Sequence, residues 1–208
     1  MVTLEGESAK ATMTHNRDSN TQAIFSLRGK PENMYGKKRA EIYKNDELYQ
    51  LMMALGIEND VADLKYSKIV IATDADNDGF HIRNLLLTFF LSFFEELITS
   101  GRIYILETPL FRVRNKKENI YCYTEAERDE AQKKLGKSSE TSRFKGLGEI
   151  NPSEFRQFIA PETMHLTPVE ISQLKVVPQL LAFYMGKNTP ERRKFIEENL
   201  LSNAEIDA

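Results

Sequence analysis

A chain of 208 residues, 41% hydrophobic and 28% charged, carries enough apolar side chains for a packed core, which excludes a wholly disordered or fibrous protein. Its 28 Lys and Arg against 31 Asp and Glu leave a formal net charge of −3, so any contact with nucleic acid must come from local basic patches. The single cysteine, Cys122, rules out an internal disulfide and a cysteine-based zinc site, and suits a reducing compartment.

In chain order, Val2-Thr3-Leu4 reads as a short strand that stops at Glu5-Gly6. A strand this short at the start reads as truncated, so the natural protein is expected to extend before Met1. Glu5 and Glu7 arrive before any apolar signal core could form. Residues 10–20 are polar and unperiodic, a predicted loop. Residues 23–27 form a predicted strand closed by Gly29 and Pro31. Leu48, Leu51, Met52 and Leu55 fall at i, i+3, i+4 and i+7 between Asp46 and Gly56, which predicts an amphipathic helix.

Ile69-Val70-Ile71-Ala72 is an unbroken apolar run, the pattern of a parallel strand covered on both faces. An acidic loop and one long helix to about Ser100 follow. Its stripe of Ile82, Leu85, Leu86, Phe89, Phe90, Phe93, Phe94 and Leu97, with Leu87 and Leu91 beside it, predicts burial on more than one side. The most apolar stretch, residues 85–94, is interrupted by Thr88 and Ser92 and falls short of the ~20 residues a membrane span needs. No membrane association is expected, and the location is expected to be cytoplasmic. Residues 103–106 are a further buried strand, which completes a right-handed βαβ unit.

The pattern then alternates. Residues 111–114 and 120–123 predict an antiparallel hairpin. Thr124 and Glu127 form a capping box for a helix that closes near Gly136. Asn151-Pro152, Thr167-Pro168 and Thr189-Pro190 each predict a helix start. The fold class is α/β: a Rossmann-like parallel sheet flanked by helices, with a hairpin insertion and a mainly helical C-terminal tail. The divisions are 1–114 for the core, 115–149 for the hairpin, helix and Gly-rich loop, and 150–208 for the tail.

Asp74, Asp76 and Asp78 follow the buried strand at i, i+2 and i+4. Loops at the carboxyl ends of parallel strands converge above the sheet and are where ligands bind. Three carboxylates so close repel one another unless a cation offsets them, and hard oxygen donors select Mg²⁺ or a similar ion. A solvated acidic loop is the plain alternative. An EF-hand fails, because its twelfth position is Leu85 and a strand precedes the loop. A haloacid-dehalogenase-type phosphatase would use Asp74 and Asp76, but Asn77 departs from that pattern. Glu5 also follows a strand, with Gly6 beside it. If the two strands are parallel neighbours, Glu5, Asp74 and Asp76 converge at one sheet edge.

A Glu and, far downstream, an Asp-x-Asp, each after a strand, resembles the acidic signature of a TOPRIM domain. Five ordered motifs narrow the resemblance. They are Glu5-Gly6-Glu7-Ser8-Ala9, Arg28-Gly29-Lys30-Pro31-Glu32-Asn33, residues 74–83, Thr108-Pro109-Leu110, and Arg143-Phe144-Lys145-Gly146-Leu147-Gly148-Glu149. Together they resemble the C-terminal half of the B subunits of bacterial type IIA DNA topoisomerases. Residues 23–35 and 112–123 favour the topoisomerase IV branch over the gyrase branch.

The resemblance implies a TOPRIM fold and a role in reversible cleavage of double-stranded DNA. The cleavage tyrosine belongs to a partner A subunit, in an A2B2 heterotetramer that the tail also contacts. Glu5 is then the general acid and base. Glu5, Asp74 and Asp76, with Asp78 as a weaker contributor, hold Mg²⁺, for which Mn²⁺ or Ca²⁺ can substitute. Lys30, Asn33, His81 and Arg193 match or suggest DNA contacts. Lys145 to Glu149 receives no role. ATP belongs to the full-length protein only, and this chain alone is expected neither to cleave DNA nor to hydrolyse ATP. Glu7 stands where the family usually has Asp, which changes DNA or inhibitor contacts there. A degenerate TOPRIM scaffold and the phosphatase remain the alternatives.

Overall fold

The computed structural model describes the backbone of residues 2–5 and 7–199 and the side chains of residues 10–199. Five strands make the main sheet: β1 (Val2–Glu5), β2 (Ile24–Leu27), β3 (Ile69–Ala72), β4 (Ile103–Glu107) and β8 (His165–Pro168), in the order β2-β1-β3-β4-β8. The first four run parallel, and β8 pairs antiparallel with β4. A second sheet, order β6-β5-β7, is antiparallel and formed by β5 (Phe111–Arg114), β6 (Asn119–Cys122) and β7 (Glu140–Arg143).

All four residues of β3 are buried, because each face has its own core. Ile69 and Ile71 pack with Leu27, Ile103 and Ile105 against helix α2 (Asp46–Leu55), helix α3 (Asn77–Phe93) and helix α4 (Glu95–Thr99). Val70 and Ala72 face the other way. They meet Met13 of helix α1 (Glu7–Asn16), Phe144, Leu147, Ile150, and Phe155, Phe158 and Ile159 of helix α6 (Pro152–Ile159). The unbroken apolar run is therefore the sequence of a strand with two dry faces.

The predicted strand at 23–27 and helix at 46–55 form as expected. The helix is capped by Asn45, whose side chain accepts from the Leu48 N–H, and ended by Gly56 in the left-handed region at φ 79°. Helix α5 (Glu125–Leu135) begins at Thr124, whose hydroxyl accepts from the Glu127 N–H, while the Glu127 carboxylate accepts from the Tyr123 N–H.

Four expectations are corrected. Residues 10–20 are mostly helical, not a loop: α1 has one buried residue among its described side chains, Met13, so tertiary packing rather than amphipathic pattern holds it. The long helix does not run unbroken to Ser100. It stops at Phe94, whose backbone leaves helical geometry (φ −143°, ψ 41°) and whose ring lies 5.3 Å from Phe89, leaving α4 as a separate short helix. Thr167-Pro168 does not open a helix but ends β8. Pro168 lacks an N–H to donate, and an edge strand tolerates that. The hairpin gains a third strand, β7, whose Glu-Thr-Ser-Arg sequence has no apolar alternation to reveal it.

Helix α7 (Val177–Met185) and helix α8 (Thr189–Asn199) complete the chain's described part. The small sheet is tied to α6 by Arg112, whose guanidinium sits 3.0 Å from the Glu154 carboxylate with both side chains largely covered, and by the Tyr121 ring edge-on to Phe158 at 4.9 Å. Among the described residues, no helix is long and apolar enough to cross a membrane.

Candidate functional site

The carboxyl ends of β1 and β3 lie side by side. Leu4 pairs with Ala72 in the parallel register, so Glu5 stands level with Thr73, one residue short of Asp74. The side chains of Glu5 and Glu7 lie outside the described residues. Past β3 the chain folds back sharply, and the turn is possible only because residue 79 is glycine. A Cβ on Gly79 would lie 2.0 Å from the Asp74 carbonyl oxygen.

Asp74 is half-buried beneath a second loop, residues 145–149. The Leu147 N–H donates to its Oδ1 at 2.6 Å, and the Ala75 N–H donates to the Lys145 carbonyl at 2.9 Å. Burial pushes the Asp74 carboxyl above the usual carboxylate range. The Leu147 bond opposes that rise, and the negative charges of Asp76 and Glu149 add to it. A carboxylate desolvated and crowded by like charge is one that a divalent cation stabilises, and all the donors are hard oxygens. The residues present therefore fit a Mg²⁺-class ion.

Asp76 is also the N-cap of α3, where its Oδ1 accepts from the Gly79 N–H at 2.8 Å. Asp76→Ala should cost about 1 kcal/mol in urea unfolding with EDTA, and Asp76→Asn almost nothing, because Asn caps as well as Asp. Equal losses in the two variants would rule out capping as the structural role.

Asp78 is engaged with a partner of its own. Its carboxylate pairs with Lys30 Nζ at 2.7 Å on the open surface, so a sequence-predicted ligand and a sequence-predicted DNA contact meet each other. Both groups are exposed, so the pair contributes little to stability and exchanges readily for another partner. Among the described side chains, no three His, Cys, Asp or Glu are clustered closely enough to hold a metal; the set read from the sequence includes Glu5, beyond them.

Asn33 is engaged within the fold: its amide donates to the Met185 carbonyl at 2.8 Å and its oxygen accepts from the Tyr35 N–H. With the exposed His81, it lines a cleft of about 810 Å³ between α3 and residues 169–186. Arg193 lies on α8, exposed and paired with Glu197 at 2.8 Å, next to Arg192, which lines the same cleft as Asn33 and His81. Burial first, and Glu154 next, push the Tyr121 phenol up to about 12, and Tyr123 is also raised by burial, so both stay protonated and neither is poised as a nucleophile.

Sequence reasoning missed the contact between residues 145–149 and Asp74. No residue type in the loop signals it, since even at Gly146 a Cβ would make only ordinary van der Waals contact with the Asp74 carboxylate, at 3.4–3.5 Å.

Residues 2–108 match the Toprim domain family, and residues 136–197 match the carboxyl terminus of the DNA gyrase B subunit. The B subunit of DNA topoisomerase 4 from Borreliella burgdorferi is 61% identical over 197 residues, covering 95% of this chain and 33% of that one. The DNA gyrase B subunit of Thermotoga maritima is 37% identical, covering 98% of this chain and 33% of its own. The topoisomerase 4 counterpart from Streptococcus pneumoniae is 38% identical, covering 95% and 32%. This chain thus spans about a third of the length of these relatives. In fold it resembles the crystal structure of the Plasmodium falciparum topoisomerase II DNA-binding, cleavage and re-ligation domain, with a TM-score of 0.81 at 23% identity, over 96% of this chain and 29% of that one. With the acidic strand ends and the gyrase-type carboxyl-terminal segment on one chain, this protein belongs to the Toprim family, in the branch formed by the B subunits of type II DNA topoisomerases.

Proposed function

We propose that this chain is the metal-holding part of a B subunit that supports reversible double-strand cleavage of DNA by a tyrosine on a partner A subunit, in an A2B2 assembly. The observation that carries the reading is Asp74, desolvated and clamped at the end of β3, one register step from Glu5 on the neighbouring strand.

Glu5, Asp74 and Asp76 are the proposed holders of the ion, which we take to be Mg²⁺. When bound, the ion offsets negative charge on the phosphate and the leaving oxygen during phosphoryl transfer. Glu5 is the proposed proton donor to the departing 3′-oxygen and the acceptor on religation. Lys30 is the proposed phosphate contact. DNA would compete with Asp78 for its ammonium, and the exposed pair yields at small cost. His81 and Asn33 line the neighbouring cleft, so a DNA strand along α3 would meet both. Arg193, beside the cleft-lining Arg192, is the fourth proposed contact. ATP is assigned to the longer protein, outside this segment.

The test is reconstitution. The full-length B subunit, mixed with its A subunit and supercoiled plasmid, should yield linear DNA after denaturant quench in Mg²⁺ and none in EDTA. Cleavage that persists in EDTA would sink the proposal.

A further inference from the structure

The 145–149 loop is held in shape by one of its own side chains. The Glu149 carboxylate accepts from the Lys145 N–H at 2.9 Å, and the Glu149 N–H donates to the Gly146 carbonyl at 3.1 Å. These bonds close the loop on itself. Phe144, Leu147 and Ile150 root it in the same core that covers Val70 and Ala72. From that base the loop grips the Asp74 segment twice: the Lys145 carbonyl accepts from the Ala75 N–H, and the Leu147 N–H donates to Asp74 Oδ1. Gly146 lies between these two contacts. A Cβ there would sit at ordinary van der Waals distance, 3.4–3.5 Å, from all three carboxylate atoms, so the loop backbone lies directly against the carboxylate.

We propose that this loop is a positioning clamp for the metal-holding carboxylate, and that Glu149 is its positioning residue. The inference rests on the function proposed above for Asp74. Glu149 acts through its acceptor oxygen: by tying down Lys145, it fixes where the Leu147 N–H points, and hence the plane in which Asp74 offers oxygen to an ion. A partner that orients a ligand without touching the metal is worth about ten- to a hundredfold in metal affinity.

Two variants separate geometry from charge. Glu149→Ala removes both the acceptor and the charge, whereas Glu149→Gln keeps an acceptor oxygen. The probe is Mn²⁺ alone, its binding to the full-length B subunit followed by electron paramagnetic resonance. In parallel, the Mg²⁺ concentration for half-maximal plasmid cleavage is measured with the A subunit, and the melting temperature in EDTA reports folding.

Glu149→Ala should weaken Mn²⁺ binding about tenfold and raise the half-maximal Mg²⁺ by a similar factor, with cleavage restored at saturating Mg²⁺. Glu149→Gln should recover most of both. Unchanged Mn²⁺ binding in Glu149→Ala, or a Gln variant as weak as the Ala variant, overturns the clamp. A maximal rate lost at unchanged half-maximal Mg²⁺ also overturns it. If the parent protein binds Mn²⁺ in a Glu149-dependent way yet cleaves no DNA, the clamp stands and the proposed function fails.

Discussion

Asp74→Asn is expected to reduce Mg²⁺-dependent plasmid cleavage by roughly a thousandfold, the equivalent of several kcal/mol of lost transition-state stabilisation. The change is nearly isosteric, and the amide oxygen can still accept from the Leu147 N–H, so the clamp closes around it as before. Only the charge is lost. Stability should move the other way. Burial chiefly, with Asp76 and Glu149 adding to it, raises the folded-state value of Asp74 above 3.8. A carboxyl raised in this manner contributes stability that is complete below pH 3.8 and is lost as pH climbs through the raised value. At neutral pH and without metal, the ionised carboxylate is therefore a net cost that an amide escapes. The Asp74→Asn variant in EDTA should melt higher than the parent at pH 7, and the gap should close on acidification below 3.8. A variant that loses cleavage and also melts lower at pH 7 would mean that Asp74 is structural.

Gly79→Ala should cost about 3 kcal/mol in urea unfolding, the upper end of what overpacking usually does, and should abolish cleavage as well. The obstacle is main chain: the added methyl would meet the Asp74 carbonyl oxygen at 2.0 Å, its carbonyl carbon at 2.8 Å and its amide nitrogen at 2.9 Å. No side-chain rotation relieves contacts with backbone. The first turn of α3 must move off the end of β3, which breaks the Gly79 N–H bond to Asp76 and separates the two carboxylates that the fold brings together. A loss under about 1 kcal/mol would show that this turn relaxes without strain.

Strands β3 and β4, helix α2 and the hairpin were legible because their residues carry either an unbroken apolar run, a helical repeat with caps, or an alternation. The pairing of β1 with β3 was a condition of the sequence reading, supported by the family resemblance rather than by any local pattern, and the parallel register meets it. Helix α1 and strand β7 were not legible, since each is held by what it packs against or pairs with rather than by its own pattern. Thr167-Pro168 carried a helix-start signal that strand pairing with Tyr104 and Ile105 overrode. At the site, residue type identified the acids but not their separate employments. Asp76 doubling as a helix cap, Asp78 turning to Lys30, and Glu149 closing a loop all depend on directions that spacing cannot encode.

Strand β8 lets the late part of the chain finish what the early part begins. The four parallel strands are complete in sequence by Glu107, whereas the partner for the open rim of β4 is not encoded until His165 to Pro168. A sheet lacking β8 would present a bare row of amides and carbonyls along β4, the arrangement that invites edge-to-edge association with a neighbour. Of the segments that lie between β4 and β8 in the chain, α6 packs on a face of the main sheet and α5 on the small sheet, so the rim itself is closed by β8 alone among the described residues.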